Sequence, residues 1–97
     1  MNYLKLTVTK SAAKWYKEEL SLQNGDHVRF YVRYGFGGHI PGFSLGISVD
    51  TPTDIYASTE VDGVKFYVEN KDAWYFDEGA LKVKIDEDRQ EPEFIYS

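Results

Sequence analysis

No cysteine occurs among the 97 residues, and that absence excludes more than any single motif establishes. Disulfides, thiolate nucleophiles, cysteine-bound zinc and cysteine-ligated iron–sulfur clusters are all removed by composition. A chain without thiols is indifferent to redox poise, so the same absence leaves the compartment open. Long apolar runs are missing too. After Met1 the chain enters Tyr3-Leu4-Lys5-Leu6-Thr7-Val8, which alternates in polarity, and no stretch is long enough for a secretory core or a bilayer span. The expected location is therefore cytoplasmic. Positive charge is also scarce: 11 Lys and Arg face 16 Asp and Glu, for a formal net charge of −5. That field repels phosphate backbones and anionic lipid, so neither nucleic acid nor membrane is an expected partner.

What the chain does have is apolar and aromatic surface, with 42% hydrophobic residues of which the rings are a large part (16% of the chain). Such a composition argues against disorder, and large rings supply buried area without cross-links. The length fits one domain, residues 1–97, with room for one core.

Leu4, Leu6 and Val8 alternate with Lys5 and Thr7 as a strand with one buried face requires. Thr9 is placed to cap a helix over about 10–22, with Ala12, Ala13, Tyr16 and Leu20 on one stripe and Asn24-Gly25 closing it. From Asp26 the period changes to two: Val28, Phe30, Val32 and Tyr34 share one face, and His27, Arg29, Tyr31 and Arg33 the other. A glycine-rich loop follows, and Phe43, Leu45, Ile47 and Val49 then alternate with Ser44, Gly46 and Ser48 in a second long strand. Residues 55–60 read as a further strand, which Asp62-Gly63 turns into Val64–Glu69 as a tight hairpin. Asn70 is read as the cap of a short helical turn near 71–76, and Leu81–Ile85 as another strand. The charged run Asp86–Glu93 then reads as a loop before a last apolar segment, Phe94-Ile95-Tyr96. The expectation is a mainly β fold, α+β by content: an antiparallel β-sandwich or partly closed barrel carrying one N-terminal helix.

The order of these elements, with Ser11-Ala12-Ala13 in the capped helix and Gly37-Gly38-His39-Ile40-Pro41-Gly42-Phe43-Ser44 in the loop, resembles the HesB-like domain of A-type iron–sulfur carriers. Val61-Asp62-Gly63-Val64-Lys65-Phe66-Tyr67-Val68 is similar to that family's next landmark, and the likeness covers roughly the first four-fifths of the chain. The resemblance implies the HesB-like scaffold and a setting in iron–sulfur cluster biogenesis. It also implies three thiolates, one in the loop two positions before the Gly-Phe pair and two from a Cys-Gly-Cys near the C-terminus. Ile40 stands at the first position, and the tail runs through acidic residues to Phe94-Ile95-Tyr96-Ser97. Neither isoleucine nor a carboxylate replaces a soft thiolate. The expected function is accordingly that of a non-enzymatic accessory or adaptor protein, acting through a protein partner or self-association and holding no cofactor.

Several residues are open to two readings. His39, beside the vacated position and among Gly37, Gly38 and Gly42, is either a loop histidine in water or, with carboxylates, a ligand for iron or another divalent metal. The glycines answer a turn that needs positive φ, or cradle an anion, although phosphate loops normally lead into a helix and this one leads into a strand. The acidic run 86–93 is a solvated loop or a hard-cation site of no standard spacing. The carboxylates Asp77 and Glu78 form an acid–base pair only in name, with no second actor in the sequence. Tyr31 and Tyr67, on the outer faces of their strands, either contact a partner or pair across strands to stabilise an exposed sheet.

Overall fold

In the computed structural model, which describes residues 4–76 and 79–97, seven strands and one α-helix are arranged in two sheets. The order is β1 (Lys5–Val8), α1 (Lys10–Glu19), β2 (His27–Tyr34), β3 (Phe43–Val49), β4 (Ile55–Val61), β5 (Val64–Glu69), a 3₁₀ helix (Asn70–Tyr75), β6 (Ala80–Asp86) and β7 (Glu91–Tyr96). One sheet runs β1-β6-β7 and the other β3-β2-β5-β4, and they do not close into a barrel. The β2–β3, β4–β5 and β6–β7 pairings are antiparallel, as hairpins must be, whereas β1–β6 and β2–β5 are parallel. Among the described residues no helix is long and apolar enough to cross a membrane.

The alternation in the sequence becomes the core. Leu6 and Val8 of β1, Leu81 and Val83 of β6, Val28 and Phe30 of β2, and Val64, Phe66 and Val68 of β5 form one buried cluster with Ala12, Ala13 and Tyr16 of α1. The alanines let α1 sit close, and Tyr16 reaches between rings, 5.8 Å from Phe66 and 6.1 Å from Phe30 by centroid. Phe30 and Phe66 stack at 5.9 Å, and Phe94 of β7 meets Phe30 edge-on at 5.7 Å. Such contacts add to the area term that dominates folding. The Tyr16 hydroxyl is buried without a hydrogen-bond partner among the described residues, and burial raises its pKa.

Local chemistry sets the element ends. Thr9 Oγ1 accepts from the Ala12 amide at 3.2 Å, the expected N-cap. The helix ends earlier than 22, because Ser21 takes the left-handed conformation (φ 52°) and Leu22 N–H closes on Lys17 O at 2.9 Å. That turn buries Leu22 and leaves Leu20 exposed, reversing the stripe's expectation. Gly25 (φ 96°) belongs to the turn into β2 rather than to the helix end. Asp62 (φ 54°) and Gly63 (φ 81°) are both left-handed, as the tight β4–β5 turn demands. Asn70 is not a cap: its side-chain amide donates to Asp54 Oδ1 at 2.9 Å, and the 3₁₀ helix starts without a side-chain cap. The acidic run is only partly loop, since Glu91, Pro92 and Glu93 pair with Asp86, Ile85 and Lys84. β7 is an edge strand, where charge and proline are tolerated.

Candidate functional site

The glycine-rich loop is a closed structure. Gly35 N–H donates to Gly42 O at 3.1 Å across its neck, and Phe43 N–H to Ile40 O at 3.1 Å. Gly37 (φ 84°) and Gly42 (φ 88°) have the left-handed geometry expected of a turn. Gly38 is required for another reason, space. A Cβ there would run into the Phe43 carbonyl oxygen and the Tyr75 hydroxyl.

Tyr75, at the end of the 3₁₀ helix, is the post on which the loop rests. Its fully buried side chain carries a hydroxyl that accepts from the His39 amide at 2.5 Å. The His39 ring stacks on Tyr96 of β7 at 5.0 Å and 19°, and meets Tyr75 edge-on at 5.9 Å. Tyr75 also contacts Phe76 and Tyr96 edge-on, at 5.2 and 5.9 Å. Burial, and then its hydrogen bond with Tyr75, push the Tyr96 hydroxyl well above the ordinary tyrosine range. The side chain of Ile40 is partly buried against the hydrophobic core. The loop and the C-terminal strand therefore do converge, and the groups that meet there are the imidazole of the exposed His39 and the phenol rings of Tyr75 and Tyr96. Those donors do not fit an iron–sulfur cluster, and among the described residues no group of three His, Cys, Asp or Glu could hold a metal ion.

Outside this layer lies a second, exposed one. Tyr34 is 85% exposed, Phe36 99% and Trp74 51%. Phe43 joins two of them, stacked on Tyr34 at 5.3 Å and edge-on to Trp74 at 5.1 Å. Phe36 projects from the loop tip between Gly35 and Gly37. The period-two pattern placed Tyr34 on the inner face, but at the end of β2 that face has passed beyond the core.

The two tyrosines singled out as partner contacts fare differently. Tyr31 lies across its register partner Gly46, where a Cβ would collide with the ring, and Arg29 sits over it at 5.6 Å. It is half-buried, in the cross-strand arrangement. Tyr67 is on the outer face as expected, but it is fully buried and its hydroxyl donates to Asp50 O at 3.0 Å. It is not available to a partner, because residues 50–54 fold over it. Glu69 anchors that cover, accepting from Thr53 N at 3.0 Å, Thr53 Oγ1 at 2.7 Å and Asp54 N at 2.9 Å. Burial works to raise the Glu69 pKa, but the Thr53 and Asp54 hydrogen bonds and the Arg29 charge outweigh it, and the net direction is down. Arg29 Nη2 and Asp72 Oδ2 complete the face at 2.7 Å, both largely buried. The second histidine, His27, is half-buried at the start of β2.

The remaining candidates separate from the loop. The turn of the acidic run borders an open groove beside α1 whose wall includes Lys14, Trp15, Glu18, Lys84, Glu87 and Asp88, a mixed-charge surface sharing no residue with the glycine loop. Asp86 is held by Arg89, Nε to Oδ2 at 3.1 Å. Asp77 and Glu78 lie outside the described residues.

Comparison with known proteins adds what geometry alone does not. Over 94 residues, 96% of this chain and 99% of the other, the sequence is 46% identical to a Bacillus subtilis (strain 168) protein named pyruvate dehydrogenase inhibitor. The chain belongs to that protein's family. An uncharacterized protein of Staphylococcus saprophyticus is 35% identical across 87% of this chain and 90% of its own. No family model matches the sequence. Among solved structures, Escherichia coli SufA, described as involved in biosynthesis of iron–sulfur clusters, superposes with a TM-score of 0.61 and 25% identity over 99% of this chain and 89% of SufA. A solution structure of an Aquifex aeolicus protein gives a TM-score of 0.52 at 19% identity, over 100% of this chain and 96% of its own, a likeness of fold alone. The scaffold is HesB-like, as the loop and hairpin motifs led one to expect.

Proposed function

We propose that this protein is a non-enzymatic inhibitor of pyruvate dehydrogenase that binds the enzyme through the exposed aromatic tip of its glycine-rich loop and works without a metal of its own. The observation that carries this reading is the 46% identity to the Bacillus subtilis inhibitor, which extends over nearly the whole of both chains. Physical chemistry favours the same class of action. The loop carries no thiolate and meets the tail through aromatic rings, which is consistent with action by contact. Tyr34, Phe36 and Trp74 are the kind of side chain that anchors an interface, large and exposed, and Phe43 holds Tyr34 and Trp74 in place, which reduces the entropy those two lose on binding.

An accessory role in iron–sulfur cluster biogenesis rests on the scaffold shared with SufA. Fold alone is weak support for a function, and the full-length relative draws the reading toward inhibition. The test is to titrate the purified chain into a pyruvate dehydrogenase reaction and follow pyruvate-dependent NADH formation. A saturable fall in rate at near-stoichiometric inhibitor is expected. An unchanged rate at a large excess of the chain would overturn the proposal.

A further inference from the structure

The four strands at sheet edges are not protected alike. β1 has only four residues and carries the exposed Lys5. β7 begins Glu91-Pro92-Glu93. β4 has an irregular register between Ile55 and Ala57 and an exposed Glu60. Short length, charge, proline and bulges are the usual means of keeping an edge from pairing with another chain. β3 has none of them. It is seven residues long, Phe-Ser-Leu-Gly-Ile-Ser-Val, without charge or proline, and it pairs with β2 from Val49 to Phe43 without a register break.

The phase of that ladder fixes which peptide groups are unpaired. Gly35 N–H donates to Gly42 O at 3.1 Å and Asp50 N–H to His27 O at 3.4 Å, at the two ends of the β2–β3 pairing. Bonded pairs recur at every second residue of an antiparallel ladder. Ser44, Gly46 and Ser48 therefore turn their peptide groups toward β2, and Leu45, Ile47 and Val49 turn theirs away from the sheet. The side chains of these same three residues lie on the core-facing side, where Leu45 is only partly buried against the core. Ile47 is 37% exposed and Val49 54%.

We infer that β3 is a self-association edge, on which a second copy of this chain adds its own β3 antiparallel about a two-fold axis at Ile47. The occupant is argued from self-complementarity. With Ile47 opposite Ile47, Leu45 faces Val49 of the other copy, and each pair exchanges the hydrogen bonds its peptide groups lack. The exposed side chains of Ile47 and Val49 then meet apolar partners, and the outer face brings only Gly46 against Ser48, so no like charges meet within the strand. The −5 charge of each chain lies elsewhere. This inference does not depend on the enzyme that the aromatic tip binds.

The test is sedimentation of the full chain over a concentration series, with amide exchange read residue by residue. The mass is expected to rise from 11.2 kDa to twice that value, with the Leu45, Ile47 and Val49 amides gaining protection as it does while Ser44 and Ser48 stay protected throughout. Val49→Lys, at a half-exposed position, and Ile47→Lys, which sets two ammonium groups face to face, are expected to keep the fold and remain monomeric. A wild-type chain that stays monomeric at every concentration overturns the inference. So does a dimer that both lysine variants leave intact, or one that forms without protecting those three amides, including one in which β3 is instead occupied by an extended segment of another protein.

Discussion

The aromatic residues around the glycine-rich loop form two layers with different exposure. In the inner layer Tyr75 and Phe76 are buried, and the exposed His39 lies stacked on the half-buried Tyr96 with its amide bonded to the Tyr75 hydroxyl. In the outer layer Tyr34, Phe36 and Trp74 present most or about half of their surface to solvent. The inner rings occupy the meeting place of loop and C-terminal strand, where the HesB-like resemblance implies ligands. The outer rings are left over after the core is complete. One layer builds the scaffold and the other lies at the surface, so on the proposed inhibition substitutions in the two are expected to fail in different assays.

The largest effect is expected at Tyr75. Tyr75→Ala removes a fully buried ring together with the acceptor for the His39 amide, and core aromatic truncations cost about 3–5 kcal/mol. Thermal or urea unfolding measures it, and a loss under about 1 kcal/mol would show that the inner layer does not hold the loop. Gly38→Ala comes next, since its Cβ meets backbone as well as the Tyr75 hydroxyl. Overpacking of this kind costs about 1–3 kcal/mol, read in the same unfolding experiment. Glu69→Gln probes the covered outer face through pH. The Glu69 pKa is depressed in the folded state, so its contribution is present above the ordinary glutamate value and lost as pH falls through the lower, folded one. The wild-type melting temperature should drop more steeply on acidification than that of Glu69→Gln, and parallel curves would refute the assignment. The smallest effect belongs to the outer layer, where Phe36→Ala is expected to alter stability by no more than about 0.5 kcal/mol.

Much of the scaffold was legible because its signals are local. The Thr9 cap and the paired left-handed residues Asp62-Gly63 each depend on a few neighbouring atoms. Misreadings arose where distant chain decides. The stripe through Leu20 ran on in the sequence, yet the gain from burying Leu22 turned the helix at Ser21. Tyr67 has the position of a surface residue, and only the remote segment 50–54, tied down by Glu69, covers it. The parallel β1–β6 and β2–β5 pairings join residues far apart in the chain and leave no local mark. At the loop, the resemblance put Ile40 at the vacated ligand position and His39 beside it, and the structure sets Ile40 partly against the core and the His39 ring on Tyr96. What His39 meets there could not be read, because Tyr75 and Tyr96 reach it from other elements. Phe36 stands between Gly35 and Gly37, which have no side chains to cover it, and the structure leaves it 99% exposed.

The most direct test of the separation between the layers is the inhibition of pyruvate dehydrogenase by wild type and by Phe36→Ala, with both chains shown to unfold at the same temperature. The account predicts that the variant needs at least about tenfold more protein for the same inhibition, the equivalent of about 1.4 kcal/mol of lost contact. Equal inhibition by the two chains would contradict it.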